Sequence, residues 1–440
     1  NSGSKDERNG QALDKNNAFR AETSKTVDNI TYTAEFSNDT TKEIYVYNKE
    51  EANVEFKINS STNKVTYAEV TQASNQKFKT VNDTTVTDGY GYNFNKITTE
   101  TDTPLTVRMT GQPNDFIMSQ PNYNKTEDQN FAMGDRYLRI IAKDGSTMST
   151  NSSGANADGY FRIVLKSQTY KYSIKLPESN ADKIGVNDIN SLTPADIDKI
   201  KNEIKIQYSE KATTQDARLA SHKGEVLADR SSVVKDVAVA NGTVTVTYQD
   251  DSVDTAPVSS VARTNEAPTV EIPYSDPAAK EIYVYAGEEN SFDIKFKDDS
   301  GKISSAIVNG GGNQPFKAVD GQENQINTQY GFTANKITAE RPATADEPAV
   351  ITYRGTPAAT DGLKPEALEA ATKGDKAPGM VLGWRYATAT DADGAEITNR
   401  AVGSSNATDP GSFRVMLKPQ TQKYDVTEPT AKVTVADPNS

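Results

Sequence analysis

Lys42-Glu43-Ile44-Tyr45-Val46-Tyr47 returns unchanged as Lys280-Glu281-Ile282-Tyr283-Val284-Tyr285, 238 positions later. The hexapeptide alternates aromatic with branched aliphatic side chains, the period-two pattern of a strand. Its recurrence makes the chain two copies of one β unit. Asn95-Lys96-Ile97-Thr98 recurs at Asn335-Lys336-Ile337-Thr338, an offset of 240, and Thr106-Val107-Arg108 is answered by Thr352-Tyr353-Arg354 at 246. Arg385 answers Arg136 at 249, and Phe413 to Tyr424 repeats Phe161 to Tyr172 at 252. The offset is constant inside the strand-like blocks and grows only between them. The second copy's 14 extra residues therefore fall in connections, where β-sandwiches absorb length.

Further strands are expected in the first copy at Val54 to Ile58, Lys64 to Tyr67, Asn95 to Thr98, Leu105 to Met109, Arg136 to Ala142 and Phe161 to Lys166. Their spacing between turn-rich segments is that of a sandwich. Residues 1–29 are polar without an apolar period and read as a flexible lead-in. The first sandwich is placed at 30–172 and the second at 269–426, with 427–440 a tail or the start of a second spacer. Between them, 173–268 reads as a small α+β spacer with a positioning role. Thr193-Pro194 followed by Ile197, Ile200, Ile204 and Ile206 predicts a capped helix with one apolar stripe. Asn241-Gly242 between Val237 to Ala240 and Thr243 to Tyr248 predicts a hairpin with a type I′ turn.

The composition narrows the functions open to such a fold. With no cysteine, disulfides and thiolate metal sites are excluded, although the compartment stays open. One histidine, His222, leaves little room for triads or His-metal sites and cannot serve two repeated sites. A net charge of −13 argues against nucleic acid, whose backbone is held by clustered cations. No apolar run approaches the roughly 20 residues that cross a bilayer, so no membrane insertion is expected. No leader opens the sequence, so a secreted protein would be represented by its mature or excised part. The 61 acidic residues are too many for a glycosidase pair to be singled out, and neither an enzyme nor a cofactor is expected. Asp391-Ala392-Asp393-Gly394 lacks the later Glu of a calcium loop and reads as a turn, with no metal assigned. Asn309-Gly310-Gly311-Gly312-Asn313 reads the same way.

Binding candidates are instead the repeated steps Gly134-Asp135-Arg136-Tyr137 and Gly383-Trp384-Arg385-Tyr386, each opening a strand that ends in Asp-Gly. A guanidinium and a ring beside a variable residue suit a site that holds one anionic group. Arg108 and Arg354 also recur, so recurrence alone does not choose between the pairs, and the sequence leaves open whether their strands lie by the same loops or on the opposite sheet.

Arg385-Tyr386-Ala387-Thr388-Ala389-Thr390-Asp391, the Phe-Arg-x-x-Leu-Lys strand after it and the Thr-Pro-Ala-Asp helix of the spacer resemble the binding regions of streptococcal serine-rich repeat adhesins. The resemblance covers nearly the whole chain from about residue 30. It implies a mainly β protein of two V-set immunoglobulin-like (Siglec-like) sandwiches separated by the α+β spacer. It also implies a monomeric, cell-surface fragment that binds host sialylated glycoproteins of platelets or saliva. On the family's binding strand an arginine meets the sialic acid carboxylate, and Arg136 and Arg385 take that place, with Tyr137 and Tyr386 as the variable residue after it. Asp135 and Trp384 stand where the family has threonine, and Gly134 and Gly383 where it has an apolar residue. A shifted alignment makes Arg139 the cation in copy one, opposite Thr388 in copy two. Asp135 is expected to repel an anion beside Arg136, which favours the second copy. Two weak sites on one chain would gain avidity. Strand addition of a host peptide and a passive stalk are the rival readings.

Overall fold

The computed structural model describes residues 22–72, 78–114, 130–149, 154–310, 317–318, 325–327, 329–357, 364–397, 409–431 and 434–437. They form two compact units, 1–177 with 194–261, and 178–193 with 262–440. The protein is mainly β.

In the first unit one sheet runs Glu22–Val27, Ile30–Glu35, Ala52–Ser60, Leu105–Gly111, Tyr92–Asn95, Thr85–Asp88, Phe78–Asn82. The facing sheet runs Glu43–Tyr47, Tyr160–Lys166, Asn130–Ala142, Lys64–Gln72, Thr101–Asp102. Glu43–Tyr47 pairs parallel with Tyr160–Lys166, which brings the first repeated block onto the last. Its Ile44 and Val46 enter the core with Phe56, Leu138 and Phe161. The second unit repeats the plan. Thr269–Glu271, Asn290–Lys297, Ala349–Gly355, Phe332–Asn335, Gln325–Asn327 and Lys317–Ala318 form one sheet. Glu281–Tyr285, Ser412–Lys418, Met380–Thr390 and Ser305–Gly310 form the other. Glu281–Tyr285 again pairs parallel with the last strand.

Glu22–Val27 is a strand, where a flexible lead-in was expected through residue 29. It is an edge strand with polar residues on both faces, paired to one neighbour through its backbone, so it carries no apolar period to read. Several expected strands move or lengthen, Lys64 to Tyr67 running on to Gln72 among them. The segment expected at Asn95 to Thr98 is strand over Tyr92–Asn95, and the Arg136 strand extends back to Asn130.

The spacer elements form as expected in part. The helix is Pro194–Glu203 with Ile200 buried, but Ile206 opens a strand, Ile206–Tyr208. Val234–Ala240 and Thr243–Tyr248 make the hairpin, with Asn241 at φ 51° and Gly242 at φ 74°, and Val253–Pro257 adds a third strand. Within the first unit this module is fastened to the sandwich. The Tyr47 hydroxyl donates to Asp216 at 2.8 Å and the Gln168 amide to Asp250 at 2.9 Å, with Asp216 fully buried. Residues 178–193 and 262–268 belong to the second unit, so the span 173–268 is not one body. Ile184–Val186 pairs there with Ala262–Thr264.

Gly159 and Gly411 mark the tightest backbone approach in each sandwich. A Cβ on Gly159 would sit 1.9 Å from the Leu138 carbonyl oxygen, and one on Gly411 would sit 1.8 Å from that of Ala387. Gly411→Ala is expected to cost about 1–3 kcal/mol through forced separation of the two strands, read as a lower urea midpoint. An unchanged midpoint would contradict this packing.

Candidate functional site

Each Gly-x-Arg-Tyr step lies at a β-bulge. The register of the Arg136 strand against Tyr160–Lys166 shifts between Ala132 and Asp135, and that of the Arg385 strand against Ser412–Lys418 shifts between Val381 and Gly383. Gly134 has φ 98° and Gly383 φ 112°, conformations that other residues resist. The repeated glycine thus makes the bulge, and the bulge sets the facing of the residues after it.

That facing puts both arginines inside. Arg136 and Arg385 are 0% exposed, the largest fully buried side chains among the described residues. Arg136 donates from Nη2 to Asp88 Oδ2 at 3.0 Å and from Nε to the same oxygen at 3.3 Å. Its Nη1 donates to the carbonyls of Met133 and Asp135, each at 3.1 Å. Phe78 and Tyr90 lie beside the guanidinium, 5.7 and 5.9 Å from ring centre to Cζ. Arg385 repeats the local contact, donating from Nη1 to the Trp384 carbonyl at 2.9 Å. Its Nε donates to the Tyr353 hydroxyl at 3.3 Å. The Arg136 guanidinium, expected to offer its charge to a ligand, is closed to solvent and ion-paired with Asp88 in this structure.

The neighbours face differently from what adjacency in sequence suggested. Asp135 turns its carboxylate toward Tyr160 and Arg162 on the neighbouring strand. Its Oδ1 accepts from the Tyr160 hydroxyl at 3.1 Å and from Arg162 Nε at 3.3 Å. Trp384, on the same side of its strand, has Arg414 5.6 Å from its ring centre, and Arg414 Nε donates to Glu281 at 3.1 Å. Tyr137 is buried and its hydroxyl accepts from the Gly154 amide at 2.7 Å. Tyr386 is buried as well, and burial, with Asp409 nearby, pushes its phenol pKa up, so it is a neutral hydroxyl at physiological pH. Each step therefore splits into a buried Arg-Tyr pair and one partly exposed residue.

The competing arginines lie elsewhere. Arg108 is on Leu105–Gly111 and Arg354 on Ala349–Gly355, in the sheets opposite those of Arg136 and Arg385, and both are exposed. Arg108 is ion-paired with Glu55. Arg139 is partly buried against the Tyr67 ring, with Cζ 5.9 Å from the ring centre, facing away from Arg136. Of the turn at 309–313, Asn309 and Gly310 end a strand and the rest lies outside the described residues. His222 stacks on Tyr208, with Nδ1 2.8 Å from Glu225.

One cluster escaped the sequence. Asp298, Asp299 and Asp391 each bring a carboxylate oxygen within 4.8 Å of the others, an all-oxygen donor set of the kind that hard cations take. Oδ1 of Asp298 and Oδ1 of Asp299 are buried without a hydrogen-bond partner. Arg263, 5% exposed, pairs with Asp299 at 2.6 Å. The Asp391-to-Gly394 turn is present, with Gly394 at φ 91°, and Asp391 itself is 2% exposed. Burial, and then the charges of Asp391 and Asp299, push Asp298 up to about 6. A carboxyl whose folded pKa lies above its unfolded value near 3.8 binds the extra proton in the folded state. Stability from this group therefore falls as pH rises from about 4 to 6. The melting temperature is expected to rise between pH 7 and pH 5 through this group, and Asp298→Asn should flatten that part of the profile. An unchanged profile in the variant would contradict the assignment.

No family model matches the chain, and no curated protein matches it. Among solved structures it is similar to the sialic acid binding region of the Streptococcus sanguinis SK1 adhesin bound to 3′sLn, with TM-score 0.44 and 20% identity over 93% of this chain and 80% of that one. The SrpA adhesin from Streptococcus sanguinis aligns with TM-score 0.30 and 21% identity over 55% of this chain and 94% of that one. The GspB Siglec domain aligns with TM-score 0.21 and 16% identity over 51% and 93%.

Proposed function

We propose that this chain is the binding region of a bacterial surface adhesin for sialylated glycans on host glycoproteins, and that the second sandwich carries the site. One observation carries the reading: the bulge at Gly383 leaves Trp384 partly exposed on the strand that carries Arg385, with Arg414 5.6 Å from its ring centre. Hydrogen bonds to an ionised acceptor are roughly twice as strong as neutral ones. A sugar carboxylate brought to Arg385 would be such an ionised acceptor. Trp384, partly exposed on the other side of the strand, offers a ring face beside Arg414 for the apolar side of a sugar. No catalytic step belongs to this reading. Avidity between two like sites is not part of it either, because Arg136 already has its carboxylate.

The test is binding of the full chain to a glycan array carrying matched sialylated and asialo oligosaccharides. Signal confined to the sialylated members supports the reading. Equal signal on both members, or binding to enzymatically deglycosylated host glycoprotein, supports the capture of a host peptide by strand addition instead. Absence of binding to either leaves only the stalk.

A further inference from the structure

The two Gly-x-Arg-Tyr steps differ only in their second residue, Asp135 against Trp384, while the groups beside that residue are retained. Arg162 is the register partner of Asp135 and of Glu43, and Arg414 is the register partner of Trp384 and of Glu281. In the first sandwich the aspartate draws the arginine to itself, with Arg162 Nε donating to Asp135 Oδ1 at 3.3 Å. In the second, Arg414 turns to Glu281. Its Nε donates to Oε2 at 3.1 Å, and Nη2 donates to the same oxygen. Nη1 is outside that pair, and the Arg414 side chain is 33% exposed. The guanidinium lies 5.6 Å from the centre of the partly exposed Trp384 ring. An aromatic surface and an outward N–H donor therefore stand side by side on one strand pair. The face is also open further along. Val381, 48% exposed, is the register partner of Met416, whereas Val164, at the Met416 position of the first sandwich, is 7% exposed and packs in one cluster with Ala212 of the spacer.

We infer that Trp384 and Arg414 form a subsite for a neutral hexose, the sugar next to the sialic acid, and that the residue at this step, Trp384 or Asp135, decides which sandwich has it. The inference rests on the proposed reading that the second sandwich binds sialylated glycans. Charge sets the class of ligand. Glu281 already balances Arg414, so a second acidic group meets no net positive charge there. An uncharged pyranose has an apolar face for the Trp384 ring and hydroxyl oxygens that accept from Nη1. A ring surface with a convergent polar group is the usual make-up of a small-ligand site. With aspartate at the step the ring is gone and the arginine is taken by the carboxylate, so both contacts are lost together. Neutral contacts are weak one by one. The subsite therefore adds to a contact made through the sialic acid and does not hold an asialo core by itself.

Titration calorimetry of the full chain with the methyl glycoside of sialic acid and with 3′-sialyllactosamine reads the subsite as a ratio of two affinities. The trisaccharide should bind the wild-type chain at least about tenfold more tightly than the monosaccharide. Trp384→Asp, which installs the arrangement of the first sandwich, should bring the two affinities together, and Arg414→Gln should narrow the gap as well. Loss of folded protein weakens both ligands alike, so a merely structural role does not move the ratio. Arg414→Gln strips Glu281 of its partner. Where that variant does not fold, Trp384→Asp decides alone, because Asp135, Arg162 and Glu43 show that this sandwich holds such a set. Equal wild-type affinities for the two ligands, or a wild-type ratio retained in Trp384→Asp, overturn the inference and leave sialic acid recognition standing. A wild-type chain that binds neither ligand overturns the proposed function, and the subsite with it.

Discussion

Arg385→Ala is expected to lower the affinity of the full chain for 3′-sialyllactosamine by roughly ten- to a hundredfold, the range that follows from losing a charge-assisted contact of about 1.5–3 kcal/mol. The guanidinium is 0% exposed, so the substitution also removes packing against Tyr353, and far-UV and near-UV circular dichroism must show that the sandwich persists. Arg385→Lys separates charge from geometry. Lysine keeps the positive charge but not the planar fork, so it should recover only part of the affinity. Arg354→Ala, on the opposite sheet, should leave binding unchanged. The reverse pattern, loss with Arg354→Ala and none with Arg385→Ala, would move the site to the other face.

The second large effect is on stability. Arg136→Met strips the partner from a buried Asp88 and is expected to cost about 3–5 kcal/mol. The double variant Arg136→Met/Asp88→Leu removes both charges together and should cost far less than the sum of the single changes, because no uncompensated ion is left in the interior. Urea unfolding of the four chains closes the cycle. Additive costs would mean that the two side chains do not share one desolvated ion pair.

Much of the fold was open to reading from the repeat. Strand blocks return at constant offsets, and Asn241-Gly242 makes the turn that its positive φ values require. The site was less legible, for two physical reasons. Strict alternation gives each residue of a strand a face, but the bulges at Gly134 and Gly383 reset that count, so the inward turn of Arg136 and Arg385 depends on a register shift with the neighbouring strand. The partners are also remote in sequence. Asp88 lies 48 positions from Arg136, and Asp391 meets Asp298 and Asp299 only through the closure of the second sandwich. Glu22–Val27 was hidden because its pairing comes from backbone bonds and hydroxyl contacts such as Ser24 with Thr33 and Thr26 with Thr31, which leave no apolar period.

The central claim is that one sandwich of the two takes the acidic sugar. Calorimetric titration of the full chain with 3′-sialyllactosamine, set beside the same trisaccharide core without its sialic acid, tests it most directly. The account predicts one molar equivalent bound for the sialylated ligand and none for the asialo form. Two equivalents, or equal binding of both ligands, would contradict it.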